Sequence, residues 1–294
     1  MPQTVSRRVL VAAMTVLLSG APALSQAKSP ERLARDLCSA TRATQGAQAT
    51  TRGKVPLDVG PVALCGSNND SGGRNGLWDR VKQCRANHNT CLKYTSNYIL
   101  LRGSAPATNN YLLIPNLRIK GIECPYLWSN ANPPKHYWRQ AWDEAHHNPA
   151  HVRTVNGQGV GLGVNALYST DHHRVRTQDQ LHIHMANIRA GVRGTLDNAD
   201  ARITDQPNEW ATSIVPVGGR NYRVLKLRHA GDLDRNLFKL LHDHVVAREA
   251  GGDMARQMMV VTRRPKGGYY VLNSEATLPQ GRGTSSADRL LDYY

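Results

Sequence analysis

An α+β fold is the class this sequence predicts. Short strand-like runs lie between turn signals, helical spacing is confined to a few segments, and no regular strand-helix-strand rhythm of the kind that builds doubly wound sheets is present. The chain has 294 residues, 40% of them hydrophobic, enough to supply a packed core.

Met1 to Ala27 sets Arg7 and Arg8 ahead of an apolar run, Val9 to Leu18, and then small residues at cleavage-like positions, the pattern of a bacterial export signal. The run is shorter than the ~20 residues a spanning helix needs, so removal is expected over retention as an anchor. Ser6-Arg7-Arg8-Val9-Leu10 also resembles the opening of a twin-arginine signal. Residues 28 to 76 are rich in Ala, Thr, Gly, Ser and Asn and end in the turn-prone stretch Gly66 to Gly76. They read as an accessory arm, with a short helix over Pro30 to Thr41.

A packed domain is expected from Leu77 to Ala276. Leu77, Trp78, Val81 and Cys84 fall at helical spacing, and Tyr98-Ile-Leu-Leu-Arg102 and Tyr111-Leu-Leu-Ile-Pro115 read as strands joined through Gly103, Pro106 and Asn109-Asn110. A helix over Tyr137 to Ala145 puts Trp138 and Trp142 four residues apart, as core residues. Val160 to Leu167 and Gln180 to Ile188 are predicted strands, Leu233 to Glu249 a helix, and Met258 to Thr262 with Tyr269 to Asn273 a hairpin turning at Pro265-Lys-Gly-Gly268. Residues 277 to 294 read as a polar tail.

The formal charge is +15, and loss of the two signal arginines leaves +13, so anionic partners are expected. Nucleic acid, anionic lipid surfaces and phosphorylated small molecules all meet that description; export argues against the first. Export also brings Cys38, Cys65, Cys84, Cys91 and Cys124 into an oxidising compartment, where disulfides persist. Cys84 and Cys91 are close enough to close a small loop, Cys38 with Cys65 is the next most natural pair, and one thiol is left over. No CxxC spacing occurs, which argues against a cysteine zinc site.

The chemistry concentrates in Arg176-Thr-Gln-Asp-Gln-Leu-His-Ile-His-Met-Ala-Asn-Ile-Arg189. As a strand it sorts Gln178, Gln180, His182 and His184 onto one face and Leu181, Ile183 and Met185 onto the other, with polar groups about 7 Å apart. Neutral imidazole is a good nucleophile toward phosphorus, and neighbouring amides with Arg176 could orient phosphate oxygens. Two other readings stay open: a metal site completed by His172, His173 or a carboxylate, and two half-exposed histidines on an edge strand. Gly157-Gln-Gly-Val-Gly-Leu-Gly163 lacks the spacing of a phosphate loop and reads as a flexible lead into a strand. His242 and His244 on a helix, and His146, His147 and His151 around Asn148-Pro149, read as solvated side chains.

Three segments in order, Tyr111-Leu-Leu-Ile-Pro-Asn-Leu-Arg-Ile-Lys-Gly-Ile-Glu123, Tyr137-Trp-Arg-Gln-Ala-Trp142 and Arg176-Thr-Gln-Asp-Gln-Leu-His-Ile-His184, resemble the bacterial CDP-diacylglycerol diphosphatase family across Leu77 to Ala276. The resemblance implies a histidine-triad-like antiparallel sheet with packed helices and hydrolysis of CDP-diacylglycerol to CMP and phosphatidate. His182 would be the nucleophile, His184 the third histidine, and Gln180 would stand where the motif has its first. Asn165, Arg176, Thr177 and Gln178 would contact the diphosphate. The resemblance further implies a Cys84–Cys91 disulfide, leaves Cys124, where the family has serine, as the candidate unpaired thiol, and requires no metal or cofactor. The loop adding Asp171, His172, His173 and Arg174 would reshape one wall. The implied partner is a lipid-linked nucleotide at the membrane surface, not nucleic acid, in a periplasmic setting or on the outer face of the inner membrane. A homodimer is allowed. The alternatives are a broader hydrolase of soluble CDP-alcohols or dinucleoside polyphosphates, and a non-catalytic exported protein holding a metal or anionic lipid.

Overall fold

Alternating apolar side chains build a ten-stranded sheet in which every pair of named strands is antiparallel. The computed structural model describes residues 73–294 apart from 105, 108, 130–135, 148–151, 153–154, 156–158 and 171–172. The expected export signal, most of the arm, Cys38 and Cys65 lie outside the described residues.

The strands are β1 (Lys93–Tyr94), β2 (Tyr98–Arg102), β3 (Tyr111–Pro115), β4 (Val160–Val164), β5 (Ile183–Ile188), β6 (Ile214–Val217), β7 (Arg220–Leu227), β8 (Met258–Arg263), β9 (Tyr269–Ser274) and β10 (Leu291–Asp292). They lie in the order β1-β2-β3-β5-β4-β8-β9-β7-β6, with β10 beside β5. β3 pairs with Ile183 to Met185 of β5, and β10 pairs with Asn187 and Ile188. The C-terminal segment thus takes the lane that β3 leaves empty.

One sheet face packs Leu113, Leu162, Ile183, Met185, Val261 and Val271 against helices α2 (Tyr137–His147) and α4 (Leu237–His244). Trp138 and Trp142 both lie in this core. The opposite face carries two separate clusters. Helix α1 (Gly76–Ala86) lays Trp78, Val81 and Cys84 over Ile99, Leu101, Leu112 and Ile114. Helix α3 (Ala190–Ala199) sets Val192 and Leu196, together with Ala287, Leu290 and Leu291, over Ala186, Ile188, Val224 and Val260. By the period of two, the even-numbered residues at the start of β5 share this second face, between the two clusters.

Several elements differ from the sequence-based expectation. Residues 277 to 294 are not a polar tail: Leu290 and Leu291 are buried and β10 joins the sheet, because their apolar side chains complete the α3 cluster. The glycines ahead of them have a packing role. A Cβ on Gly161 would fall 2.5 Å from Leu291 Cδ2, and one on Gly163 would fall 2.8 Å from Leu291 Cδ1 and 2.9 Å from the Ala287 Cβ. β4 is bare so that this segment can approach it. β5 begins at Ile183, three residues later than expected, because the Leu181 amide donates to the Ile119 carbonyl at 2.6 Å, outside the ladder. β4 stops at Val164, since the Ala166 and Leu167 amides donate to Ser285 and Ala255 carbonyls. α4 spans only Leu237–His244: the Asn236 side chain accepts from the Lys239 amide at its start, and Val245 leaves helical geometry at its end. α3 and the β6–β7 hairpin, which turns at Gly218 and Gly219 with φ of 54° and 79°, were not anticipated.

Candidate active site

The start of β5 lies between the α1 and α3 clusters, and His182 and His184 stand there with ring centroids 5.0 Å apart. His182 is 9% exposed, and its Nδ1 lies 2.7 Å from the Gln180 carbonyl oxygen. A carbonyl can only accept, so Nδ1 carries the proton and Nε2 keeps its lone pair. Among the described residues no group hydrogen-bonds Nε2. Burial first, then the charge His184 can carry, pushes the His182 pKa down to about 3. The imidazole is therefore neutral at neutral pH.

His184 is partly exposed, and its Nδ1 lies 3.0 Å from Asn110 Oδ1 in the β2–β3 connection. Burial lowers its pKa as well, but the Asp288 carboxylate opposes that shift. Asp288 accepts from the Tyr293 hydroxyl at 2.6 Å and from Asn165 Nδ2 at 3.2 Å. Desolvation works against its charge, yet His184, Tyr293 and Asn165 together hold its carboxyl below the usual carboxylate range. The Tyr293 ring lies 5.6 Å from that of His184. These contacts make the C-terminal segment one wall of the histidine site.

The structure does not spread the other sequence-predicted residues along this wall as free phosphate contacts. Arg176 gives Nη1 and Nη2 to Glu123 at 2.9 and 2.7 Å, with both side chains 2% exposed, and its Nε donates to the Gln178 carbonyl at 2.9 Å. Gln180 donates to the Pro115 and Leu117 carbonyls at 3.1 and 2.8 Å and accepts from Arg118 at 3.3 Å. Gln178 Oε1 accepts from the Leu77 amide at 3.2 Å, satisfying an orphan donor at the start of α1. Asn165 Oδ1 accepts from the Ala287 amide at 2.6 Å, so this side chain braces the C-terminal wall. Thr177 is exposed. The physical reason is common to buried Arg176, Gln180 and Asn165 and half-buried Gln178: polar groups removed from water take protein partners, here a carboxylate and loop carbonyls and amides. Arg176 still acts on the site through its charge, which disfavours protonation of His182.

Cys84 and Cys91 are joined, tying the end of α1 to the turn before β1. Cys124, expected as the unpaired thiol, is itself disulfide-bonded and fully buried. Of the added loop, Asp171 and His172 lie outside the described residues, while His173 and Arg174 are exposed and Arg174 sits over the Tyr168 ring at 5.4 Å. Among the described residues no three His, Cys, Asp or Glu side chains converge as a metal site. No described helix is long and apolar enough to cross a membrane. His242 stacks on Trp128 at 4.1 Å and His146 on Trp142 at 5.5 Å, so both pack on indoles, unlike the solvated side chains expected.

Residues 72–294 match the model of one protein family, described as CDP-diacylglycerol pyrophosphatase. The chain belongs to this family. A Yersinia pestis protein named CDP-diacylglycerol pyrophosphatase is 29% identical to it over 185 residues, which cover 62% of this chain and 66% of that protein. The chain thus spans just under two thirds of the curated relative's length. The match to the CDP-diacylglycerol pyrophosphatase family extends through the C-terminal segment that carries Asp288 and Tyr293. Those two residues and Asn110 are the site members that sequence reasoning missed. Leu291 and Tyr293, alternating after the turn that carries Asp288, are the signal for the first two, and Asn110 belongs to the turn-prone pair Asn109-Asn110.

Proposed function

We propose that this protein hydrolyses the diphosphate of CDP-diacylglycerol, with His182 Nε2 attacking the phosphorus that bears cytidine. The observation that carries the reading is the Nδ1 contact to the Gln180 carbonyl, which leaves a neutral ring whose Nε2 lone pair has no hydrogen-bond partner among the described residues. An N–P bond forms while the bond from that phosphorus to the bridging oxygen breaks, and phosphatidate leaves with the electron pair. Water, giving a proton to the His184 ring that the first leaving group has deprotonated, then attacks the cytidylyl-histidine; the N–P bond returns its pair to Nε2, and CMP departs. His184 takes a proton as the dianion arrives and passes it to the leaving oxygen, a role supported by the Asp288 carboxylate acting on its ring. No metal or cofactor takes part in these steps.

Family membership and the name of the Yersinia relative support the substrate; the two-histidine strand supports a histidine-triad-like relationship. The Arg7-Arg8 leader and the Cys84–Cys91 disulfide support export to an oxidising compartment, where the diphosphate would be met at a membrane surface.

The test is ³¹P NMR of the signal-less protein with micellar CDP-diacylglycerol in chelator. CMP and phosphatidate should appear with wild type, and His182→Ala should lower the rate by at least ~10³-fold with an unchanged fold. A variant that keeps more than about a tenth of the rate removes His182 from the nucleophile's role.

A further inference from the structure

Beside the histidines, on the same sheet face, a cleft of about 700 Å³ runs between the start of α3, the β6–β7 turn and the turn at 286–289. Asp288 belongs to both places: it lines this cleft and holds Tyr293 and Asn165 at the histidine site. We infer that the cleft seats the phosphatidate half of the substrate, a glycerophosphate bearing acyl chains. This rests on the reaction proposed above and adds to it which half of the substrate lies on this side of His184.

The lining is amphiphilic. Its buried apolar side is Val192, Val217 and Tyr222, all members of the α3 cluster. Its cations are Arg189 and Arg289. Arg189 is anchored at the rim by its Nε bond to the Leu291 carbonyl at 3.0 Å. Arg289 is exposed and makes no hydrogen bond or ion pair among the described residues, so its guanidinium is available to a phosphate. Asp288, the acid of the lining, keeps its charge and is held by Tyr293 and Asn165; the two arginines outnumber it, so the cleft is net cationic.

A cytosine ring is recognised by in-plane amide donors and acceptors or by an open aromatic face. Tyr222 is 1% exposed, so the described lining offers no open aromatic face, and it holds no Asn or Gln side chain; the Thr195 hydroxyl donates to the Gly191 carbonyl at 2.8 Å. Two guanidinium groups over a methyl-lined floor match a phosphate joined to hydrocarbon. Arg189, Gly218 and Arg289 are exposed at the rim, so chains longer than the cleft can pass out toward a membrane.

The test is calorimetric titration of the full chain and of Arg289→Glu and Thr195→Trp with three probes: dihexanoyl phosphatidate below its aggregation threshold, CMP, and inorganic phosphate. Each variant should weaken phosphatidate binding at least tenfold and leave CMP within twofold, while wild type should bind inorganic phosphate at least tenfold less tightly than phosphatidate. Weakened CMP, an unchanged phosphatidate affinity, or inorganic phosphate bound as tightly as the lipid would each overturn the assignment. Arg289→Glu changes an exposed side chain and carries the test should Thr195→Trp not fold. Since no turnover is read, failure here is distinct from failure of wild type to hydrolyse CDP-diacylglycerol.

Discussion

Replacing Glu123 by Leu leaves the Arg176 guanidinium buried at 2% exposure with its bidentate partner gone. The remaining acceptors are the Gln178 carbonyl at 2.9 Å and the Asp179 carboxylate at 3.6 Å, which Arg74 already holds at 2.8 Å. Removing one partner of such a pair costs roughly 3–5 kcal/mol, because an uncompensated charge stays in low dielectric. In a unit of this size each kcal/mol lowers Tm by about 2–4 °C, so a fall of roughly 6–20 °C is expected. The space is closely fitted: a Cβ on Gly121 would fall 1.8 Å from Arg176 Nη1, so the pair cannot shift toward that backbone. Differential scanning calorimetry of Glu123→Leu, Arg176→Leu and the double variant reads the effect, with the double variant recovering most of the loss because neither charge is then stranded. A Tm for Arg176→Leu within about 2 °C of wild type, accompanied by a raised KM for CDP-diacylglycerol, would refute this reasoning and return Arg176 to the phosphate.

The remaining predictions concern the histidines and the C-terminal wall. Because the folded pKa of His182 lies near 3, far below its unfolded value of about 6.5, the unfolded chain takes up a proton the folded chain refuses as pH falls through that window. Stability should therefore drop between about pH 6.5 and 3, and His182→Gln should flatten that part of the curve in urea titrations; an imidazole titrating near 6.5 by ¹⁵N NMR would contradict it. Asp288→Asn keeps an acceptor for the Tyr293 hydroxyl but removes the charge that supports protonation of His184, so kcat should fall by ~10²-fold with Tm nearly unchanged. Leu291→Ala should cost about 2–5 kcal/mol in chemical denaturation and reduce activity, since it empties the contact that seats the C-terminal segment on β4. Gly163→Val should push that segment off β4 and cost roughly 1–3 kcal/mol; wild-type stability in this variant would mean the approach at 2.8 Å is not needed.

Elements whose signal has a short period are legible in the sequence. Val81 and Cys84 on α1, Trp138 and Trp142 on α2, and the β8–β9 hairpin follow from spacings of three, four and two residues. α3 escaped because Gly191 and Gly194 weaken its helical signal, and β6–β7 escaped although Gly218-Gly219 between Val217 and Tyr222 is a hairpin signal.

The sequence alone puts Gln178, Gln180, His182 and His184 in one row, since residues two apart in an extended chain share a face; the strand itself begins only at Ile183, so tertiary contacts place Gln178, Gln180 and His182. Which members of that row remain free for chemistry was decided by tertiary structure. Gln180 is consumed by carbonyls 63 and 65 residues away, Arg176 by a carboxylate 53 residues away, and Asn165 by an amide 122 residues away. No local pattern encodes such pairings, because a buried polar group takes whichever partner the packed fold brings within reach, whereas His182 Nε2 has no hydrogen-bond partner among the described residues.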